Sequence, residues 1–474
     1  MLDSSIIKEL KSIVGSSNLF TSPEELTVYS YDATRASALP WAVARPATAQ
    51  EISSIVRLAN QRHFPVIPRG AGTGMSGGSV PSRGGVVLSF ERMNSLLSID
   101  VADRIAVVQP GVITGDLHAA VEARGLFYPP DPASSAFCTV GGNVAECAGG
   151  LRAGKYGVTR DYVLGLEAVL PTGELIRTGS RTHKSVAGYD LTRLIVGSEG
   201  TLGIATEIVL KLIPLPETVH TLAAFFPDAA TALAVLPKLT GERIMPRALE
   251  FVDTGALHAT EDHLGYHPSD GAGAMLLIET DGPASTARTD IERIGAICGN
   301  SGAVKVLRAE EPAERDRLWK LRRSISPALY ALKPRKLNED IVVPLSRIAG
   351  ILEEIDAIAK KLSLLIVNFG HAGDGNIHIN VMYEDDERVR AEQAVSEILA
   401  AVVRMQGSIT GEHGIGLSKA RYLPLEADKD AIAAMKKIKQ ALDPNNILNP
   451  EKIFLNAECG AFDPSSGRGL RSAE

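Results

Sequence analysis

Cysteine is scarce in this chain of 474 residues, and the four present follow no recognisable plan. Cys138, Cys147, Cys298 and Cys459 include no C-x-x-C pair, which excludes a disulfide framework and an internal iron–sulfur cluster. Electrons leaving such a chain must pass to an external carrier. Basic excess is missing too. With 49 Lys and Arg against 56 Asp and Glu the formal net charge is -7, so no positive stripe awaits a nucleic acid. No apolar run approaches the ~18 residues of a membrane-spanning helix. The opening MLDSSIIKELKSIVG lacks the charged-then-apolar order of a secretory signal, and Ile6, Ile7, Leu10 and Ile13 are spaced as on an amphipathic helix. The expectation is a cytoplasmic protein that meets a membrane only peripherally, through a partner.

What is present begins with the segment His371 to Asn380, HAGDGNIHIN. The apolar run Leu364 to Val367 reads as a buried strand, and Gly373 to Asn376 is turn chemistry that folds the chain back. In the returning strand Ile377, Ile379 and Val381 share one face, leaving His378 and Asn380 on the other, where His371 can meet His378. The later GEHGIG, Gly411 to Gly416, adds Glu412 and His413 in a glycine-flanked loop. His371, His378 and Glu412 with an open position suit zinc or a similar divalent ion. Hydrogen-bonded structural histidines are the competing reading.

Length allows two to three domains at about 150 residues each, and 45% hydrophobic residues supply a core for each. Thr48 and Glu51 form a capping box that opens a helix with Ile52, Ile55, Val56 and Ala59 as its buried stripe. Short strands, glycine turns and a helix over Gly115 to Arg124 follow. A hairpin turns at Pro171-Thr172-Gly173, and a long strand ends near Pro214 and Pro216, which sets the best domain boundary. Beyond it come three strand–helix–strand units, the last containing the histidine hairpin, which suits ferredoxin-like α+β packing with helices on one face of an antiparallel sheet. The expected division is 1–215, 216–455 and a flexible tail, 456–474, where Gly, Ser, Pro and Arg dominate.

Gly72, Gly74 and Gly77 satisfy G-x-G-x-x-G, the mark of a nicotinamide-binding turn. That turn needs a helix beginning inside the motif, and Gly78, Pro81, Gly84 and Gly85 forbid one. Backbone N–H groups of such a loop can still cradle a pyrophosphate, or the loop is a structural turn.

In order along the chain stand PRGAGTGMSGG (Pro68 to Gly78), QPG (Gln109 to Gly111), YPPDPAS (Tyr128 to Ser134), TVGGNVAECAGG (Thr139 to Gly150) and VGSEGTLGI (Val196 to Ile204). Together they resemble the FAD domain of the vanillyl-alcohol oxidase superfamily, and the second half resembles its D-2-hydroxyacid dehydrogenase branch. The resemblance spans roughly Ile6 to Phe454. It implies an α+β protein with a two-part FAD-binding domain and a ferredoxin-like substrate domain. It also implies FAD contacts at Arg69, Gly70, Ala71, Gly72, Thr73, Gly74 and Gly77, at Pro110 and Gly111, and at Pro132, Ser134, Thr139, Gly141, Gly142 and Asn143. Gly150, Gly154, Tyr156, Gly157, Glu199 and Ile204 would complete them. Thr73 and Met75 stand where covalent branches carry a histidine, so non-covalent FAD is expected.

The implied reaction oxidises a 2-hydroxy acid, D-lactate, glycolate or D-2-hydroxyglutarate, with its carboxylate and hydroxyl on the metal. His413 would take the hydroxyl proton and Asn380 would orient the substrate, although Glu412 and His413 can exchange roles. By resemblance Arg322 binds the carboxylate, with Ser326 and Lys336 as weaker candidates. The group reading the far end of the substrate aligns with Lys336 or Asn338. The acceptor is a quinone, an electron-transfer flavoprotein, a cytochrome or an iron–sulfur subunit, and the family resemblance suggests a homodimer. A metallohydrolase and a non-catalytic flavin relay subunit are the rival readings, with a nicotinamide dehydrogenase behind them.

Overall fold

The structure is a computed structural model that describes residues 2–34 and 36–454. The tail expected at 456–474, with Cys459, lies outside the described residues. The chain divides into two compact units: Met1–Gly149, Val158–Leu215 and Glu412–Glu474 form the first, and Gly150–Gly157 with Pro216–Gly411 form the second. No helix among the described residues is long and apolar enough to cross a membrane.

In the first unit a four-stranded sheet runs in the order Leu19–Phe20, Ala42–Ala44, Val86–Ser89, Val66–Arg69, the last three strands parallel. The helix Ala49–Arg62 covers it. Thr48 caps that helix by accepting from the Glu51 N–H, while the Glu51 carboxylate reaches back to the N–H of Ala47 rather than to Thr48, so only half of the expected box is present. Such a cap is worth about 1 kcal/mol. Burying Ile52, Ile55 and Val56 completely contributes roughly 1.5–3 kcal/mol each. Packing, not capping, therefore holds the helix to the sheet. A second, antiparallel sheet has the order Leu96–Asp100, Ile105–Val108, Ile204–Lys211, Val163–Val169, Leu175–Gly179.

The second unit is built on a seven-stranded antiparallel sheet: Lys305–Ala309, Thr218–Phe226, Ala274–Gly282, Ala248–Val252, Leu365–His371, Asn376–Tyr383, Arg335–Val342. Numbered along the chain, its first four strands lie in the order 4-1-3-2, which is the ferredoxin-like arrangement. The expectation that helices cover one face is corrected here, because every residue from Ala274 to Asp281 is buried. Ala223, Phe225, Met275, Leu277 and Val367 pack with Leu257 of the helix Thr254–Leu264 and with Leu318 and Leu321 of the helix Pro312–Arg323. The alternate residues Leu222, Ala224, Leu276 and Ile278 are buried as well, on the side taken by the helix Ala284–Asn300. Strands this continuously apolar need two covered faces.

The turn joining Leu365–His371 to Asn376–Tyr383 depends on Gly375. Its φ is +86°, and a Cβ there would collide with the Val343 carbonyl. Gly265 also has positive φ but nothing within 4 Å of such a Cβ. Gly375→Ala should therefore destabilise the protein well beyond Gly265→Ala, which carries only the conformational cost of roughly 1–3 kcal/mol. Urea midpoints measure this, and equal losses for the two would refute the steric account.

Candidate functional site

The first unit holds a cavity of about 230 Å³ walled by its glycine loops. Arg69, Gly70, Ala71, Gly72, Thr73 and Gly74 line it, as do Pro110, Pro132, Ser134, Thr139, Gly141, Gly142, Asn143, Glu199 and Ile204. Glu412 and His413 lie on the same wall. A second cavity of about 660 Å³ shares Arg69 to Gly72 and Thr139 and adds Gly111. Gly77 lines neither and packs on Leu417 instead. Gly150, Gly154, Tyr156 and Gly157 also line neither. They fall in the second unit, where the Tyr156 hydroxyl donates to Asp281 at 2.8 Å and Lys155 forms an ion pair with the same carboxylate.

The wall is made by backbone approaching backbone. The Gly141 N–H donates to the Pro110 carbonyl at 2.8 Å, and a Cβ on Gly141 would lie 2.5 Å from Pro110 Cβ. The Arg69 guanidinium turns back over its own loop to the Tyr31 carbonyl at 2.7 Å and the Ser79 hydroxyl at 3.1 Å. The buried Ser198 hydroxyl and Asn449 Oδ1, both on the cavity wall, have no hydrogen-bond partner, as befits groups awaiting a polar ligand.

Glu199, expected to contribute only its backbone, does more. Its carboxylate accepts the N–H groups of Ile415 at 2.8 Å and Gly416 at 2.6 Å, so it holds the loop that carries His413. Burial raises the Glu199 carboxyl above the usual range and raises Glu146 further, with Glu199 adding repulsion. Burial also pushes the neighbouring Lys452 ammonium down to about 8. Glu146 and Lys452 were not foreseen.

In the second unit the hairpin presents its polar side chains on one face. His371 and His378 stand edge to face with ring centroids 5.1 Å apart, and their nearest ring nitrogens lie within 4.8 Å. Each faces a buried carboxylate that the sequence reading missed. Glu250, opposite His371 in register, accepts from His371 Nδ1 at 2.6 Å. Asp340, opposite His378, lies 3.8 Å from His378 Nδ1 and accepts from Asn376 Nδ2 at 2.5 Å and from the Gly411 N–H at 2.8 Å. Carboxylates behind imidazoles fix tautomer and orientation, which is the support that a metal-binding histidine receives.

Arg322 sits with its guanidinium 4.7 Å above the Phe369 ring, donates through Nε to Glu250 Oε2 at 2.7 Å, and brings Nη2 to 2.6 Å from the same oxygen in an ion pair. Burial would push Glu250 up, but His371 and Arg322 outweigh it and hold the carboxyl down at about 2. Lys336 donates to the Ser326 hydroxyl at 2.8 Å, one helical turn beyond Arg322. Asn380 is fully buried, its Oδ1 accepts from Asn338 at 2.9 Å, and its Nδ2 donates to the carbonyls of Val367 and His378, so it braces the hairpin beside any part in orienting substrate.

Residues 40–179 match the FAD binding domain family, and residues 215–453 match the family of FAD linked oxidases, C-terminal domain. The chain belongs to the FAD-linked oxidases. It is 47% identical to the glycolate oxidase subunit GlcD of Bacillus subtilis over 458 residues, covering 96% of this chain and 97% of that one. It is 37% identical to a D-lactate dehydrogenase of Anaerostipes hadrus, covering 91% of each. It is 36% identical to a D-2-hydroxyglutarate dehydrogenase of Xanthomonas citri, covering 94% and 96%. In fold it resembles p-cresol methylhydroxylase, with a TM-score of 0.77 at 18% identity over 94% of this chain and 95% of that one. These matches place the FAD-linked oxidase in the D-2-hydroxyacid branch of the vanillyl-alcohol oxidase superfamily and make it a flavoprotein oxidoreductase. They favour the flavin over the metallohydrolase and nicotinamide readings.

Gly141→Ala should weaken FAD binding by about 1–3 kcal/mol of overpacking, roughly 5- to 150-fold in Kd. Flavin fluorescence quenching on titrating the deflavinated protein measures it. An unchanged Kd would mean that the Pro110 contact does not shape the cavity.

Proposed function

We propose that this flavoprotein oxidises a D-2-hydroxy acid to the 2-oxo acid and passes the electrons to an external acceptor. D-lactate and glycolate are the first candidates and D-2-hydroxyglutarate the next, following the names of its relatives. The observation that carries the reading is the His371–His378 pair, each imidazole backed by a buried carboxylate, on a polar face beside Arg322.

The acid loses a hydride from C2 and a proton from its 2-hydroxyl, and the C–O bond becomes a carbonyl. FAD, which the glycine loops would hold without a covalent bond, would supply the hydride acceptor. A divalent ion, zinc by donor type, would be held by His371, His378 and Glu412 and would make the hydroxyl more acidic. His413 takes the hydroxyl proton. Arg322 draws in the substrate carboxylate, for which a planar fork is suited, with Ser326 and Lys336, hydrogen-bonded to each other at 2.8 Å, as weaker candidates for the same part. The acceptor is a quinone, an electron-transfer flavoprotein, a cytochrome or an iron–sulfur subunit. We place the protein in the cytoplasm as a homodimer, with membrane contact only through such a partner.

Anaerobic addition of D-lactate, glycolate or D-2-hydroxyglutarate should bleach the flavin bands, whereas L-lactate should not. A bound flavin that none of the acids reduces would instead favour a subunit that only relays electrons. His413→Asn should keep its metal and slow flavin reduction by about 10²- to 10⁴-fold, the usual worth of a general base. Metal loss in that variant, measured by elemental analysis, would make His413 a ligand and Glu412 the base.

A further inference from the structure

Glu250 touches two of the groups that the proposed reaction draws from the second unit, His371 and Arg322. We propose that Glu250 is a positioning residue shared by the metal histidine and the carboxylate-binding arginine, so that one side chain sets both the divalent-ion site and the acid site. The inference rests on the metal reading given above.

A carboxylate only accepts hydrogen bonds, so the 2.6 Å contact from Glu250 Oε1 requires the proton of His371 to sit on Nδ1. Nε2 then keeps the lone pair that a divalent ion needs. The other oxygen, Oε2, takes Nε and Nη2 of Arg322 at 2.7 and 2.6 Å, which leaves Nη1 for an incoming anion. Phe369 forms the floor beneath the guanidinium and also packs against His378, with ring centroids 5.4 Å apart. Glu250 is 1% exposed, and its strand pairs directly with the strand of His371, so the carboxylate cannot swing away to serve one partner alone. A glutamine has the same shape, but its amide offers one acceptor and one donor. Either His371 or Arg322 would then face an N–H.

The test uses FAD-loaded protein stripped of metal and titrated with zinc alone against a chelating indicator. Pyruvate binding to the zinc-saturated protein is then followed by perturbation of the flavin spectrum. Glu250→Gln should weaken zinc binding by about 10- to 100-fold, the usual worth of a carboxylate behind a metal histidine, and should weaken pyruvate binding too, with FAD content unchanged. Wild-type zinc affinity in the variant would overturn the inference, and so would weakened zinc binding with pyruvate binding untouched, since the arginine would then not share the residue. Should Glu250→Gln not fold, Glu250→Asp keeps the charge but falls one methylene short of His371. It should show the same two losses, and wild-type affinities in it would equally overturn the inference. A wild-type protein that takes up no zinc points instead to failure of the metal reading itself.

Discussion

A carboxylate in the middle of a strand buried on both faces survives only if cations meet it. Glu250 is such a group, and its two oxygens are divided between an imidazole and a guanidinium. Burial alone would push its carboxyl up, yet the His371 imidazole and the Arg322 guanidinium within hydrogen-bond distance hold it down at about 2. The same arrangement runs along the face at Asp340, which joins His378, Asn376 and the Gly411 N–H. Replacing a buried ion pair by well-packed apolar side chains is often neutral or stabilising. The polar row is therefore an argument for chemistry rather than for stability.

The first unit solves a different problem. Its cavity is shaped by backbone close to backbone, so the residues that matter are those without side chains, and the polar anchors stand behind them. Glu199 illustrates the division of labour: it lines the cavity while its carboxylate grips two successive N–H groups of the loop after His413. A loop held by two bonds to a buried carboxylate has little freedom, which would suit the role of base proposed for His413.

How much of this was legible in the sequence follows from the range of each interaction. The alternation in Asn376–Tyr383 reads directly, because period two is local, and so does the turn at Gly375. The glycine loops read through their joint order. Glu250 did not, since ALEFV resembles any apolar strand with one polar residue, and its partner His371 lies 121 residues further on. Only the register of the folded sheet makes them neighbours. The segment Gly150–Gly157 was likewise assigned to the flavin side by motif, whereas its Lys155 and Tyr156 bind Asp281 and tie it to the second unit. Helices on both faces were missed for the same reason: burial of the second face is decided by elements distant in sequence.

Substrate choice within the branch has a physical reason for being the least legible property. The proposed ligands and the proposed carboxylate anchor would act on the part common to every 2-hydroxy acid, and His371 and His378 lie on a sheet whose strands cannot shift without breaking the core. What distinguishes lactate from a longer acid is the remainder of the molecule. The weaker candidates for meeting that remainder, Ser326 and Lys336, are hydrogen-bonded at 2.8 Å where the short helix Ile325–Ala328 meets the strand Arg335–Val342, with the Lys336 ammonium 5.0 Å from the Tyr330 ring centroid. Ser326 and Tyr330 are exposed, and the Lys336 ammonium is held there by hydrogen bonds to one serine. In the proposed reading selectivity would rest on exposed groups outside the buried polar row, and so could change without disturbing that row. Exposed positions carry no hydrophobic period, so such selectivity would leave no pattern in the sequence.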